Sequence, residues 1–257
     1  MRTVAATRYV TPLREGGSLP AVVEADDDGM YVMKFRGAGQ GAKALVAEVI
    51  AGELARLVGL PIPEIVLVEL DPELARTEPD PEIQDLIRAS GGLNVGLDYL
   101  PGSINFDPLV EHSDALLASS IVWFDAFTSN VDRTARNTNL LMWHRKLHLI
   151  DHGAALYFHH DWPGAAHAAA SPFTHIAQHV LLPRASRLRE ADAILSARIA
   201  DDDIARIVAL VPDAWLAGEP AFADVEAHRR AYVEHFHARL RQRGAFVEEA
   251  LRAHGHL

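Results

Sequence analysis

Five positions separate Asp132 from Asn137 in the run Asp132-Arg133-Thr134-Ala135-Arg136-Asn137-Thr138-Asn139-Leu140. A second acid, Asp151, follows a short apolar run and opens Asp151-His152-Gly153. Two carboxylates and an amide so arranged suit phosphoryl transfer. One carboxylate stays free of metal and receives the proton of an acceptor hydroxyl. The amide and the other carboxylate gather magnesium on the phosphates of a nucleotide. Each residue alone is an ordinary loop residue; the signal lies in the combination and its spacing. Arg133 adds positive charge, either for the transferring group or as the partner of an acid.

A phosphate grip is expected upstream. Lys34 is the single cation of the apolar run Met30-Tyr31-Val32-Met33-Lys34-Phe35, and Glu48 lies fourteen positions later on a helical pattern. A strand lysine can reach nucleotide phosphates, and a helical glutamate can hold its ammonium in place. Glu53 is the alternative partner; an edge-strand lysine and a solvated glutamate are the plainer reading. Gly16-Gly17-Ser18, between two strand candidates, is a turn whose N–H groups can cradle phosphate, although it lacks the usual G-x-G-x-x-G spacing. An ordinary glycine hairpin would look the same.

The elements that must position these groups are legible from periodicity. Residues 7–36 alternate as β structure, with Asp26-Asp27-Asp28-Gly29 as a hairpin turn. Ala42 to Val58 carries apolar residues at helical spacing and stops at Gly59, with Pro61 and Pro63 beyond. Glu64–Leu70 and Asn94–Leu100 read as strands, with one short helix between them. Asp98-Tyr99-Leu100 then stands where two halves would join, so its backbone is a candidate to meet a nucleotide base. Residues 113–130 form a helix. Asn139–Trp143 and Leu147–Ile150 form two short strands that lead into Asp151. From about Phe173 the pattern is helical throughout, ending in one long amphipathic stretch from Val225 to His254. The expected architecture is α+β in two lobes: residues 1–100, β-rich with one helix, and residues 101–257, mostly helical.

Composition removes several classes. The 257 residues carry 35 acids against 24 Lys plus Arg, a net charge of −11, which argues against coating a nucleic acid. There are no cysteines, so disulfides and thiolate zinc sites are excluded. The N-terminus lacks a signal-like apolar core, and no uncharged run approaches membrane-spanning length. A cytoplasmic location is expected. The richness in Ala, Leu, Val and Arg suggests a GC-rich bacterial gene. Of 14 histidines, His175 and His179 stand four apart, with His159, His160 and His167 nearby. They offer a competing reading, a metal-dependent hydrolase, although no H-E-x-x-H fixes a third ligand.

With these residues in place, the chain resembles the HipA-like kinases, relatives of the protein-kinase and phosphoinositide-kinase fold. The likeness runs over about residues 7–160. It rests on Tyr31-Val32-Met33-Lys34-Phe35-Arg36-Gly37, Gln40-Gly41, the helix with Glu48 and Glu53, and Gly59-Leu60-Pro61-Ile62-Pro63. Further on it rests on Tyr99-Leu100-Pro101-Gly102, Asn130-Val131-Asp132-Arg133, Asn137-Thr138-Asn139 and Ile150-Asp151-His152-Gly153. The resemblance implies ATP and Mg2+ in a cleft between the lobes, with Lys34 on the phosphates and Glu48 as its partner. It implies Asp132 as catalytic base and Asn137 and Asp151 as metal ligands. The toxins of that family phosphorylate a protein, an aminoacyl-tRNA synthetase. For this chain the acceptor is expected to be a protein serine or threonine, or else a small-molecule alcohol. A nucleotide-binding pseudokinase that acts through a partner is the non-catalytic alternative. The sequence departs from the pattern in reading Asp-His-Gly where protein kinases read Asp-Phe-Gly, and in carrying Thr134 where such loops often carry histidine. It is also much shorter than the toxins.

Overall fold

The computed structural model describes residues 1–13, 19–39, 41–111 and 113–256. Gly16, Gly17, Ser18 and Gln40 lie outside the described residues.

Five strands close into a small barrel in the order β1 (Thr3–Pro12), β2 (Ala21–Ala25), β3 (Met30–Lys34), β5 (Gly92–Asp98), β4 (Ile65–Leu70). The neighbours are antiparallel except β1 and β4, which run parallel and close the ring. The expected Asp-Gly hairpin joins β2 to β3, with Asp28 at φ 61°. The interior is filled by Val4, Val23, Met33, Val66 and Val68, with Gly96 among them. A Cβ on Gly96 would come within 2.7 Å of Val68 Cγ2, so the narrow barrel has no room for a side chain there.

Helix α1 (Gly41–Leu57) follows β3 and ends as its sequence predicts. Gly59, at φ 80°, takes the left-handed turn after the helix; Leu60 N–H reaches back to Ala55 O at 2.9 Å. Between β4 and β5 the chain makes a 3-10 turn (Pro72–Thr77) and α2 (Pro81–Ala89). Each opens with a proline behind a capping aspartate, Asp71 or Asp80. The segment therefore holds more regular structure than the one short helix expected.

Beyond residue 100 come β6 (Ile104–Asn105), α3 (Ala115–Thr128) and the hairpin β7 (Leu140–Trp143) to β8 (Lys146–Leu149). Asp114 caps α3 by accepting from Leu116 N–H and Leu117 N–H. Then follow α4 (Ala165–Ala170), α5 (Leu188–Ser196), α6 (Asp201–Val208), α7 (Asp213–Leu216), α8 (Val225–Arg241) and α9 (Gly244–His254), with short 3-10 turns between 157 and 184.

Two expectations are corrected here. Residues 173–187 are not continuously helical. They form 3-10 turns around Pro183, and His179 pairs its backbone with Thr134 across an isolated bridge. The amphipathic stretch from Val225 is two helices, broken at Gln242-Arg243. Arg243 turns its guanidinium to Asp192, and Gly244, a weak helix former, opens the second piece.

The larger hydrophobic core starts on α1 (Leu45, Val49, Ile50, Leu54) and runs through α3 (Ile121, Phe124, Phe127) to Phe236 on α8 and Phe246 on α9. Polar ties reinforce it. Lys43 on α1 donates to His159 O at 2.7 Å and pairs with Glu219 at 3.0 Å; Trp215 Nε1 donates to Leu93 O at 3.2 Å.

Arg239 is the most heavily used buried cation of the helical part. It donates to the carbonyls of Ala126 (2.7 Å), Ala168 (3.1 Å), Ala169 (3.3 Å) and Ser171 (2.5 Å), and lies over the Phe246 ring. Burial lowers its pKa to about 10, still well above neutrality. Arg239→Met keeps the aliphatic stem and leaves those carbonyls without a donor. It should cost about 3 kcal/mol, read as a lower urea midpoint at unchanged slope.

Candidate active site

Lys34 ends β3 with its side chain buried, and its Nζ lies 2.5 Å from Glu48 Oε2 and 2.5 Å from Asp151 Oδ1. The consecutive β3 and α1 and the distant Asp151 turn thus meet on one ammonium. Of the two candidate glutamates, Glu48 is the partner; Glu53 faces elsewhere and pairs with Arg56 at 3.4 Å. Burial alone would pull the Lys34 pKa down, but Glu48 and Asp151 more than offset it, and the net shift is upward. Burial likewise works to raise the Glu48 pKa, yet Lys34 and His152 hold it well below the ordinary carboxylate range. The pair is therefore ionised on both sides at neutral pH.

Asp151 stands in the left-handed region at φ 53°, a conformation unusual for a non-glycine residue and favoured at functional turns. Its side chain is 43% exposed, so the carboxylate that touches Lys34 also faces solvent. His152 N–H donates to Glu48 Oε2 at 2.9 Å, tying the segment to α1.

The loop after α3 presents Asp132. Its Oδ2 accepts from Asn137 Nδ2 at 2.7 Å and Asn139 Nδ2 at 3.2 Å; its backbone N–H is held by Asn130 Oδ1 at 3.1 Å. The Asn137 amide nitrogen is thereby turned to Asp132, which leaves its carbonyl oxygen free to face another ligand. Asn137 and Asp151 offer hard oxygen donors, the set magnesium prefers, and magnesium is ordinarily held by one or two carboxylates plus phosphate oxygens. The residues present fit that ion.

Beneath the loop lies a hub that sequence reading did not find. Asp125, fully buried on α3, accepts from Arg133 Nε at 2.6 Å, His179 Nε2 at 2.8 Å and Asn130 Nδ2 at 3.0 Å. Leu181 N–H donates to His179 Nδ1 at 3.0 Å, so the ring proton sits on Nε2 and points at Asp125. Arg133 extends the hub by donating to Asn139 O, and to Ile150 O at 3.3 Å. One guanidinium therefore fixes both the Asp132 loop and the residue before Asp151. Of the two readings open for Arg133, pairing with an acid is the one observed. The signal was present in the sequence: an acid inside the apolar run Ile121-Val122-Trp123-Phe124-Asp125-Ala126-Phe127 must be paired or neutralised when buried.

With both His179 nitrogens engaged, the His175/His179 pair is not free for zinc, and His175 is exposed. Among the described residues no cluster of three or more His, Asp or Glu side chains is placed to hold a metal by itself. At the junction, Asp98 N–H donates to Glu64 O (2.8 Å) and Tyr99 N–H to Met30 O (2.9 Å). The Leu100 N–H has no partner among the described residues.

Asp125 is held below the ordinary carboxylate range: burial opposes ionisation, but Arg133 and His179 prevail. Glu48 and Asp125 both have depressed folded-state pKa values, so their contribution is complete above their unfolded values of about 4.3 and 3.9 and is lost progressively as pH falls from there through the lower folded-state values. The thermal midpoint should hold from neutrality to about pH 5 and drop steeply below about pH 4. Asp125→Asn, which strands the buried Arg133 charge, should cost about 3–5 kcal/mol and flatten that acid limb in a pH-resolved melting series.

The comparisons with known proteins come down on the same side as the geometry. A family model described as HipA-like kinase matches residues 7–245. No curated protein matches the chain. Among solved structures, the Helicobacter pylori proinflammatory kinase CtkA superposes with TM-score 0.55 at 14% identity, covering 98% of this chain and 97% of its own. The Golgi casein kinase, solved with Mn/ADP bound, superposes with TM-score 0.51 at 12% identity, covering 97% of this chain and 73% of its own. The structural likenesses establish an α+β, kinase-like fold. With its family match spanning nearly the whole sequence, this chain belongs to the HipA-like kinases and is a phosphotransferase.

Proposed function

We propose that the chain transfers the γ-phosphoryl group of ATP to a hydroxyl, with Asp132 as the base. Residues 1–100 form the N-lobe, residues 101–257 the C-lobe, and the nucleotide lies between them. The observation that carries this reading is the Lys34 ammonium held between Glu48 and Asp151 at 2.5 Å from each. It lies where a phosphate oxygen can replace part of its present coordination. The Mn/ADP bound to the Golgi casein kinase supports nucleotide and divalent metal in such a cleft.

Each residue then has one task. Lys34 grips the phosphates, and Glu48 keeps it charged and aimed. The Asn137 carbonyl oxygen and the Asp151 carboxylate hold magnesium, which, when bound, neutralises charge on the transferring group. The adenine meets the junction through the Leu100 N–H, because the Asp98 and Tyr99 amides are already bonded within the sheet. Gly16, Gly17 and Ser18, which lie outside the described residues, are the remaining candidates to contact the phosphates. Asp132 has one oxygen held by two amides and the other open to the acceptor. It takes the hydroxyl proton as the acceptor oxygen bonds to phosphorus and the bond to the departing ADP breaks. The acceptor is a serine or threonine of a protein, with a small-molecule alcohol as the second choice. The presence of Lys34, Asp132, Asn137 and Asp151 together speaks against a pseudokinase.

Asp132→Ala should lower phosphotransfer by about a thousandfold or more while leaving ATP affinity within a fewfold, because general-base catalysis is worth that order and the base does not bind the nucleotide. Turnover that survives would move the base elsewhere. Asp151→Ala should weaken ATP binding in calorimetry only when magnesium is present. Equal affinity with and without magnesium in the native chain would remove the metal from the mechanism.

A further inference from the structure

The second residue of Asp151-His152-Gly153 departs from the aromatic hydrocarbon of protein kinases, and its surroundings are unusual. His152 is fully buried. Its Nδ1 lies 3.5 Å from Glu48 Oε1, and the Phe124 ring stands against it at 84°, with centroids 6.1 Å apart. Three buried polar atoms gather here without a hydrogen bond: Glu48 Oε1, His152 Nδ1 and His152 Nε2. Glu48 Oε2, by contrast, is fully used, by Lys34 Nζ at 2.5 Å and by His152 N–H at 2.9 Å.

A buried carboxylate oxygen without a donor is costly. The imidazole Nδ1, 3.5 Å from Glu48 Oε1, can donate to it, and closing the gap by about half an ångström makes an ordinary hydrogen bond. We propose that His152 is a positioning residue: its Nδ1–H donates to Glu48 Oε1 and locks the glutamate that aims Lys34. Phenylalanine would fill the same space and supply no donor. The backbone of His152 already holds one Glu48 oxygen and its side chain holds the other. The residue after Asp151 thus clamps the whole carboxylate, and the metal-binding segment and α1 move as one unit. This role deepens the kinase reading and rests on it for its consequence in catalysis.

The test compares His152→Phe, which keeps an aromatic filler, with His152→Asn, whose side-chain amide places a donor near the Nδ1 position. Both are first checked for a native-like melting transition. His152→Phe should raise the KM for ATP and lower kcat, together reducing kcat/KM about ten- to hundredfold, as loss of a supporting hydrogen bond does at other sites. His152→Asn should recover most of that loss. Full activity in His152→Phe, or equal loss in the two folded variants, would overturn the role. A second readout does not depend on turnover. His148, His228 and His235 also turn Nδ1 to a backbone carbonyl and so carry their proton there; in 15N-labelled protein a further Nδ1–H signal should vanish in His152→Asn and shift in Glu48→Gln. If no Nδ1–H signal is lost in His152→Asn, the contact itself is overturned. Should the native chain fail to bind ATP with magnesium, the kinase reading falls, and the nitrogen spectrum still decides whether the contact exists.

Discussion

One buried ammonium shared by two carboxylates is the constraint on which the rest of the structure depends. Lys34 comes from a barrel strand, Glu48 from the helix after it, and Asp151 from a turn more than a hundred residues on. An isolated lysine in that position would lose its charge to desolvation. With Glu48 alone it would be neutralised. With Asp151 as well, the cluster carries one excess negative charge. Of the two carboxylates, Asp151 is the one exposed to solvent, with its side chain 43% accessible. The arrangement therefore keeps one ammonium buried and charged while leaving its surplus acid exposed, and the proposed phosphate and metal roles rest on that division.

The Asp132 loop is fixed by a different device with the same logic. Asp125, Arg133, His179 and Asn130 form a buried network in which nearly every polar atom finds a partner; Arg133 Nη2 is left over. Such networks contribute little net stability but specify one geometry, because any other arrangement strands a charge. Here the specified geometry is the relation between the Asp132 loop and the Ile150-Asp151 turn, both bonded to the Arg133 guanidinium. Asp132 itself stays outside the hub and keeps one oxygen uncommitted. Rigidity lies in the layer below, and chemistry in the layer that faces solvent.

How much of this the sequence disclosed follows from how local each signal is. The Asp132–Asn137 spacing, the Asp-Gly hairpin and the Gly59 stop are written within a few residues, and each was legible. Lys34 and Glu48 were legible as candidates, since strand and helix periodicities frame them, but only the fold selects Glu48 over Glu53. The hub was not legible as a unit. Asp125 announced itself as an acid among apolar neighbours, yet His179 lies 54 residues away and reads, beside His175, as half of a metal pair. The helix break at Gln242-Arg243 escaped because the amphipathic pattern continues through it, and the Arg243 contact to Asp192 there is remote in sequence. The parallel closure of β1 on β4 has no local signature either.

The placement of Glu48 also has an origin outside the polar network. Helix α1 belongs by chain order to the barrel half, but Leu45, Val46, Val49, Ile50 and Leu54 are buried in the core that continues into α3, α8 and α9. Swinging α1 outward would expose those side chains at about 1.5–3 kcal/mol each, several times the value of a single hydrogen bond. It would also break the ties from Lys43 to His159 O and Glu219. The glutamate is therefore held toward the lysine by the largest apolar surface in the molecule, and the fine aim of its carboxylate is left to Lys34 and His152. Hydrophobic packing sets the position of the helix, and buried hydrogen bonds set the orientation of one side chain on it. The Lys34–Glu48 pair needs both, because packing alone tolerates shifts that a 2.5 Å contact does not.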